Sequence, residues 1–224
     1  MAVLKQIPFR LEADRLMREA QVPSEPEDIG AFRRLVDLAQ REGRPKAAFA
    51  VCFIENREGD RVRIGGETFE SRVLSRSLAK VERVFPVVTT CGTELDDVFQ
   101  EQGDVLHAYW WDRIKTELLV AAEQTLGAHL RQHFQLRKTA VLRPGASDAL
   151  VWPIEAQRGL FALLGDRPAQ IGVHLTDSFL MTPNKTASGL LFPTETNYHE
   201  CEVCHREGCP SRRAPFSSAR WEQF

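Results

Sequence analysis

One long helical pattern constrains this chain more than any other feature. In "DVLHAYWWDRIKTELLVAAEQTLGAHLRQHF", Leu106, Trp110, Ile114, Leu118 and Ala121 recur every three to four residues, with Leu130 further along. That is the spacing of a helix half-buried against a sheet. Asp104 stands where an N-cap carboxylate would accept from the orphan N–H groups of the first turn. "TELDDVFQEQ" leads into this helix through Gly103.

Strand-like runs lie on both sides of it. "AAFAVCFIE" (47–55) predicts a strand, "NREGD" a turn and "RVRIGG" a hairpin partner. "FESRVLSRSLAKV" looks helical, and "RVFPVVTTCG" (83–92) reads as a buried strand ending at a glycine. Upstream, Ile29, Phe32, Leu35, Val36 and Leu38 share one helical stripe that Gly43 stops. Downstream, "KTAVLRPGASDALVWP" predicts a strand and a loop, and "WPIEAQRGLFALLGD" a helix with Pro153 near its start and Gly165 at its end. "IGVHLTDSFLMTP" and "KTASGLLFPTE" predict two strands joined by a Pro-Asn turn, the second interrupted by Gly189. Helices, a hairpin, a long helix and a final hairpin predict an α+β fold with a twisted, largely antiparallel sheet.

A chain of 224 residues buries enough surface to fold without a metal or a disulfide. Its 29 basic and 31 acidic residues are well mixed, which leaves no basic stripe for nucleic acid. No apolar run is long enough to span a membrane, and "MAVLKQIPFRLEADR" lacks the pattern of a signal peptide. A cytoplasmic protein is expected. Five cysteines, an odd number, argue against a secreted disulfide framework.

Three of those cysteines, Cys201, Cys204 and Cys209, fall in a C-x2-C-x4-C pattern within "HECEVCHREGCPSRRAPF". Thiolates two residues apart can grip one ion, and the longer spacing lets a loop bring the third round. His205 or His199 would complete a zinc set, whereas an iron–sulfur cluster could use the three thiolates. Arg206, Arg212 and Arg213 would offset their charge. A redox pair at Cys201 and Cys204, or three plain reduced thiols, are the alternatives to a metal. Cys52 and Cys91 lie in apolar runs and read as buried small hydrophobes. His129 and His133, one helical turn apart, have no third ligand nearby and read as a solvated face; Tyr109, Trp110 and Trp111 read as packing surface. "LRPGASD" (142–148) combines Arg143 with a Pro-Gly turn, and "LTDSFLMTPNKTASG" (175–189) places hydroxyls, a carboxylate and a lysine among core-like strands.

"GVHLTDSFLMTPNKTASGLLF" (172–192) resembles the signature of the reactivation domain of cobalamin-dependent methionine synthase, Leu-Thr-Glu-Ser-Phe-x-Met-x-Pro followed by Ser-Gly. "RPGASDALVWPIEAQRGLFALLGD" and "VTTCGTELDD" are similar to the segments that precede it in that family. The similarity runs over about residues 83–195, with 1–80 as an N-terminal helical and hairpin part. One activation-domain-like unit over 1–195 and a Cys-rich tail over 196–224 are expected. Stand-alone relatives carry a C-x2-C-x4-C-x2-R tail, matched by Cys201, Cys204, Cys209 and Arg212.

The resemblance implies an accessory protein for reductive, S-adenosylmethionine-dependent remethylation of a corrinoid- or cobalamin-dependent methyltransferase such as methionine synthase. Electrons would come from a low-potential donor of the flavodoxin or ferredoxin type. It implies that Arg143 holds the S-adenosylmethionine carboxylate, and that backbone at Gly145 and Ala146 holds its amino acid or adenine. It places Tyr198 near the ligand and Thr176, Asp177, Ser178 and Met181 on the face toward the corrinoid. Two positions depart from the family. Its tyrosine after the Pro-Gly pair is Ala146 here. Its glutamate inside the long helix aligns near Val120, between Glu117 and Glu123. In that context an iron–sulfur centre in the tail would relay electrons, a task closed to zinc. A carrier of cobamide or metal, and a metal or redox sensor using the Cys cluster, are the competing functions.

Overall fold

The computed structural model describes residues 2–96, 98, 105–147, 151–195, 199–209 and 212–223. In chain order, β1 (Val3–Leu4) precedes the helices α1 (Ala13–Glu19) and α2 (Pro26–Glu42). Strands β2 (Lys46–Phe49), β3 (Cys52–Glu58), β4 (Arg61–Ile64) and β5 (Glu67–Glu70) lead to α3 (Arg72–Ser77) and β6 (Arg83–Thr90). The long helix α4 (Val105–His133) is followed by β7 (Thr139–Leu142), α5 (Gln157–Leu164), α6 (Arg167–Gln170), β8 (His174–Leu175) and β9 (Met181–Thr182). β10 (Thr186–Pro193) and α7 (Ser218–Trp221) complete the chain.

β6 is the spine of the main sheet, and every pairing among the described residues is antiparallel. One edge of β6 pairs with β10, which continues to β7. Its other edge meets β2 and β3 in succession, with β1 beyond β2, and β4 and β5 beyond β3. The single strand expected over 47–55 is thus two. The register places Pro86 opposite the intervening Ala50, and a proline has no N–H to donate to the ladder. The Ala50 N–H still donates to the Pro86 carbonyl at 2.9 Å.

The alternation along β2 sets the layers. Ala47 and Phe49 meet Ala122, Leu126 and Leu130 of α4, together with Phe85, Val87 and Leu191. Ala48 and Ala50 face the other way, onto Leu164, Ile171 and Val173. The first half of α4 leaves the sheet and packs on α1 and α2, where Trp110 meets Phe32 edge-on at 5.7 Å. The buried stripe therefore runs through Trp110, Ile114, Leu118, Ala122, Leu126 and Leu130. Ala121 is half-buried and Leu106 is 42% exposed. Four residues advance a helix by more than one turn, so this stripe winds around α4 as it passes from helix to sheet. Each fully buried Leu or Ile contributes about 1.5–3 kcal/mol.

Three further expectations are corrected. Phe69 and Glu70 belong to β5, and the helix begins only after Ser71, whose Oγ accepts the Leu74 N–H at 3.0 Å. The final hairpin joins β8 to β9, whereas β10 enters the main sheet between β6 and β7. Gly189 does not interrupt β10 but pairs in register with Val87. Asp104 and most of "DVFQEQG" lie outside the described residues. Among the described residues no helix is long and apolar enough to cross a membrane.

Candidate functional site

A cleft of about 290 Å³ opens between α4, the loop after β7 and the C-terminal tail. Thr116, Leu119, Val120 and Glu123 of α4 form one wall, and Arg143, Ala146 and Ser147 form the base. His199, Glu200, the three tail cysteines, Arg206, Arg212 and Arg213 close it. Arg143 directly follows β7, and its stem passes over β10 at Gly189. A side chain there would lie 2.8 Å from Val141 Cγ1, 2.9 Å from the Leu142 carbonyl oxygen and 3.1 Å from Arg143 Cγ, so glycine makes room for β7 and for the arginine that follows it. The guanidinium then reaches Glu123 Oε1 at 2.9 Å and Glu200 Oε1 at 3.4 Å. Gly145 holds φ at +75°, and a Cβ there would strike Ile154 at 2.9 Å. Its N–H donates to the Trp152 carbonyl at 3.0 Å, which tightens the turn that Ala146 and Ser147 complete.

The polar groups of the cleft are incompletely matched. Burial pushes the Glu200 carboxyl above its ordinary range, and Arg143 pulls it partly back. Among the described residues neither Glu200 Oε2 nor Ser147 Oγ, both buried, has a hydrogen-bond partner. Arg206 and Arg213 stand on the exposed rim.

One arginine shapes the wall that carries the thiols. Arg212 donates from Nη1 to the carbonyls of Cys201 (2.9 Å) and Ala214 (3.2 Å), and from Nη2 to that of Cys204 (3.1 Å). Nη2 also donates to the Arg206 carbonyl. The His199 ring accepts the Cys201 N–H at 3.2 Å, capping the turn Glu200–Val203. Val203, fully buried, enters the core cluster of Trp152 and Phe192.

The structure thus brings Arg143, Ala146, Cys201, Cys204 and Cys209 to one cleft. Gly145 shapes the turn beside it. His205 is elsewhere, against the rings of Phe216 (4.6 Å) and Trp221 (4.5 Å), and the histidine in the cleft is His199. Among the described residues no three His, Cys, Asp or Glu side chains are placed to hold a metal ion. The thiols share a wall without converging, so as placed they do not fit a metal or cluster.

Thr176, Asp177, Ser178 and Met181 form a second group, on the β8–β9 hairpin and outside the cleft lining. Thr176 Oγ1 and Ser178 Oγ lie 3.0 Å apart, and Leu180 at the tip is 59% exposed. Tyr198 lies outside the described residues. Cys91 is buried, its thiol pushed up to about 11 by desolvation. Cys52 is half-buried and raised for the same reason. His129 and His133 stack at 5.7 Å; His133 is exposed, as a solvated face requires, and His129 is half-buried against Phe49. Sequence reasoning missed Ser147, Glu200 and the four-carbonyl role of Arg212. An acid next to a cysteine pattern was the signal available for Glu200.

The architecture defines a fold class: α+β, with a curled antiparallel sheet packed against helices. No family model and no curated protein matches this chain. Among solved structures it is similar to the "MetH Reactivation Domain bound to AdoHcy", with a TM-score of 0.58 and 17% sequence identity. The match covers 85% of this chain and 72% of that one. The two share a fold.

Proposed function

We propose that this chain binds S-adenosylmethionine and acts in trans as an accessory protein in the reductive reactivation of a corrinoid-dependent methyltransferase. The observation that carries this reading is the fold shared with a reactivation domain crystallised with AdoHcy. A cleft beside Arg143, at the junction of the long helix and the sheet, supports it. In this reading Arg143 keeps Glu123, gives up its longer contact to Glu200 and turns to the ligand's carboxylate, as a guanidinium with five N–H donors allows. Backbone at Gly145 and Ala146 lies against the amino acid or adenine. The hairpin with Thr176, Asp177, Ser178 and Met181 faces the corrinoid held by the partner.

Calorimetric titration of the purified protein with S-adenosylmethionine tests this. Binding is expected, and Arg143→Ala should weaken it by about 1.5–3 kcal/mol. No binding by the unaltered protein overturns the reading. An unchanged constant in the variant leaves Arg143 as a clamp for its two glutamates. A carrier of cobamide would instead bind free corrinoid with no need of S-adenosylmethionine. A metal centre at Cys201, Cys204 and Cys209, with electrons from a low-potential donor, is the finer part of the proposal, and it requires the three thiols to draw together from where they stand. Iron, sulfide and zinc analysis of protein purified without oxygen tests that part alone.

A further inference from the structure

The cleft wall holds a charge that the fold does not fully answer. The Glu200 side chain is 14% exposed, and its Oε1 receives a 3.4 Å contact from Arg143 while the closer bond of that guanidinium, 2.9 Å, goes to Glu123. Its Oε2 is buried with no hydrogen-bond partner among the described residues. In the same cleft Ser147 is 4% exposed, and its hydroxyl is equally unmatched. Leaving such groups unpaired is costly, a carboxylate oxygen most of all. A bound molecule removes the cost if it brings a positive charge or N–H donors. The rim above carries Arg206 and Arg213, which favour a negative group on the same molecule. An acidic wall under a basic rim suits a zwitterion.

We propose that Glu200 is a specificity-determining residue that receives the cationic group, ammonium or sulfonium, of a zwitterionic ligand, with the Ser147 hydroxyl as a second polar contact. This rests on the proposed function, in which that ligand is S-adenosylmethionine. Glu200 belongs to the tail, so the tail selects the ligand's charged end while α4 and the sheet form the rest of the cleft.

The test compares S-adenosylmethionine with methylthioadenosine, which keeps the nucleoside and a neutral thioether but lacks the amino acid and the sulfonium. Glu200→Gln, which preserves shape and removes charge, should lower affinity for S-adenosylmethionine about 10- to 150-fold and for methylthioadenosine less than about threefold. Equal losses for both ligands, or none for S-adenosylmethionine, overturn the assignment of Glu200 and leave the proposed function standing. Failure of the unaltered protein to bind S-adenosylmethionine overturns both. Thermal unfolding of the variant checks that it folds. If it does not, Ser147→Ala carries the test, with a loss confined to S-adenosylmethionine expected and an unchanged pair of constants against it.

Discussion

The long helix and the C-terminal tail border the same cleft, but they are held by opposite means. α4 buries seven apolar side chains against α1, α2 and the sheet, so its position is chiefly the sum of many nondirectional contacts. The tail is held by buried Val203 and Cys204, the rings of Phe216 and Trp221 around His205, the ion pairs of Glu200 and Glu202, and above all one guanidinium that gathers four carbonyls. A helix held by area yields gradually to substitution. A loop held by one directional hub yields all at once, and without the rest of the molecule.

That contrast can be tested in order of expected size. Leu118→Ala removes a fully buried side chain from α4 and should cost about 2–5 kcal/mol of global stability, read by denaturant unfolding. Arg212→Ala should release the tail at about 1.5–3 kcal/mol of local stability, with amides of 199–209 exchanging faster and those of α4 unchanged. Equal acceleration in both regions would mean that tail and helix unfold together. Arg212→Lys should fail to restore protection, because one ammonium cannot present a planar fork to four carbonyls. The weakest effect is that of pH. Burial, with its stacked neighbour His133, holds His129 below the ordinary value of about 6.5. The folded state therefore binds fewer protons than the unfolded chain, and stability falls as pH drops through and below that value. His129→Phe should flatten this part of the stability profile.

The framework was legible because it is periodic. The α4 stripe, the α2 stripe and the hairpin of β3 and β4 follow from local spacing alone. Where the reading failed, the cause lay across the fold. Nothing within 47–55 announces a break; the break comes from Pro86 on the neighbouring strand. Ser71 was available as a cap, but the helical look of the residues around it hid β5. The site was legible in parts. Arg143 and the three cysteines were selected as letters, and they do line one cleft. That Arg143 is already engaged by Glu123 and Glu200 could not be read from the letters, because those partners lie 20 and 57 positions away.

Gly189 lies beneath this meeting. Arg143 reaches Glu123 and Glu200 from the end of a strand that lies against a position with no side-chain atoms at all. A methyl group there would press first on Val141 and the Leu142 carbonyl, so the strand that carries the arginine would have to shift before the arginine itself.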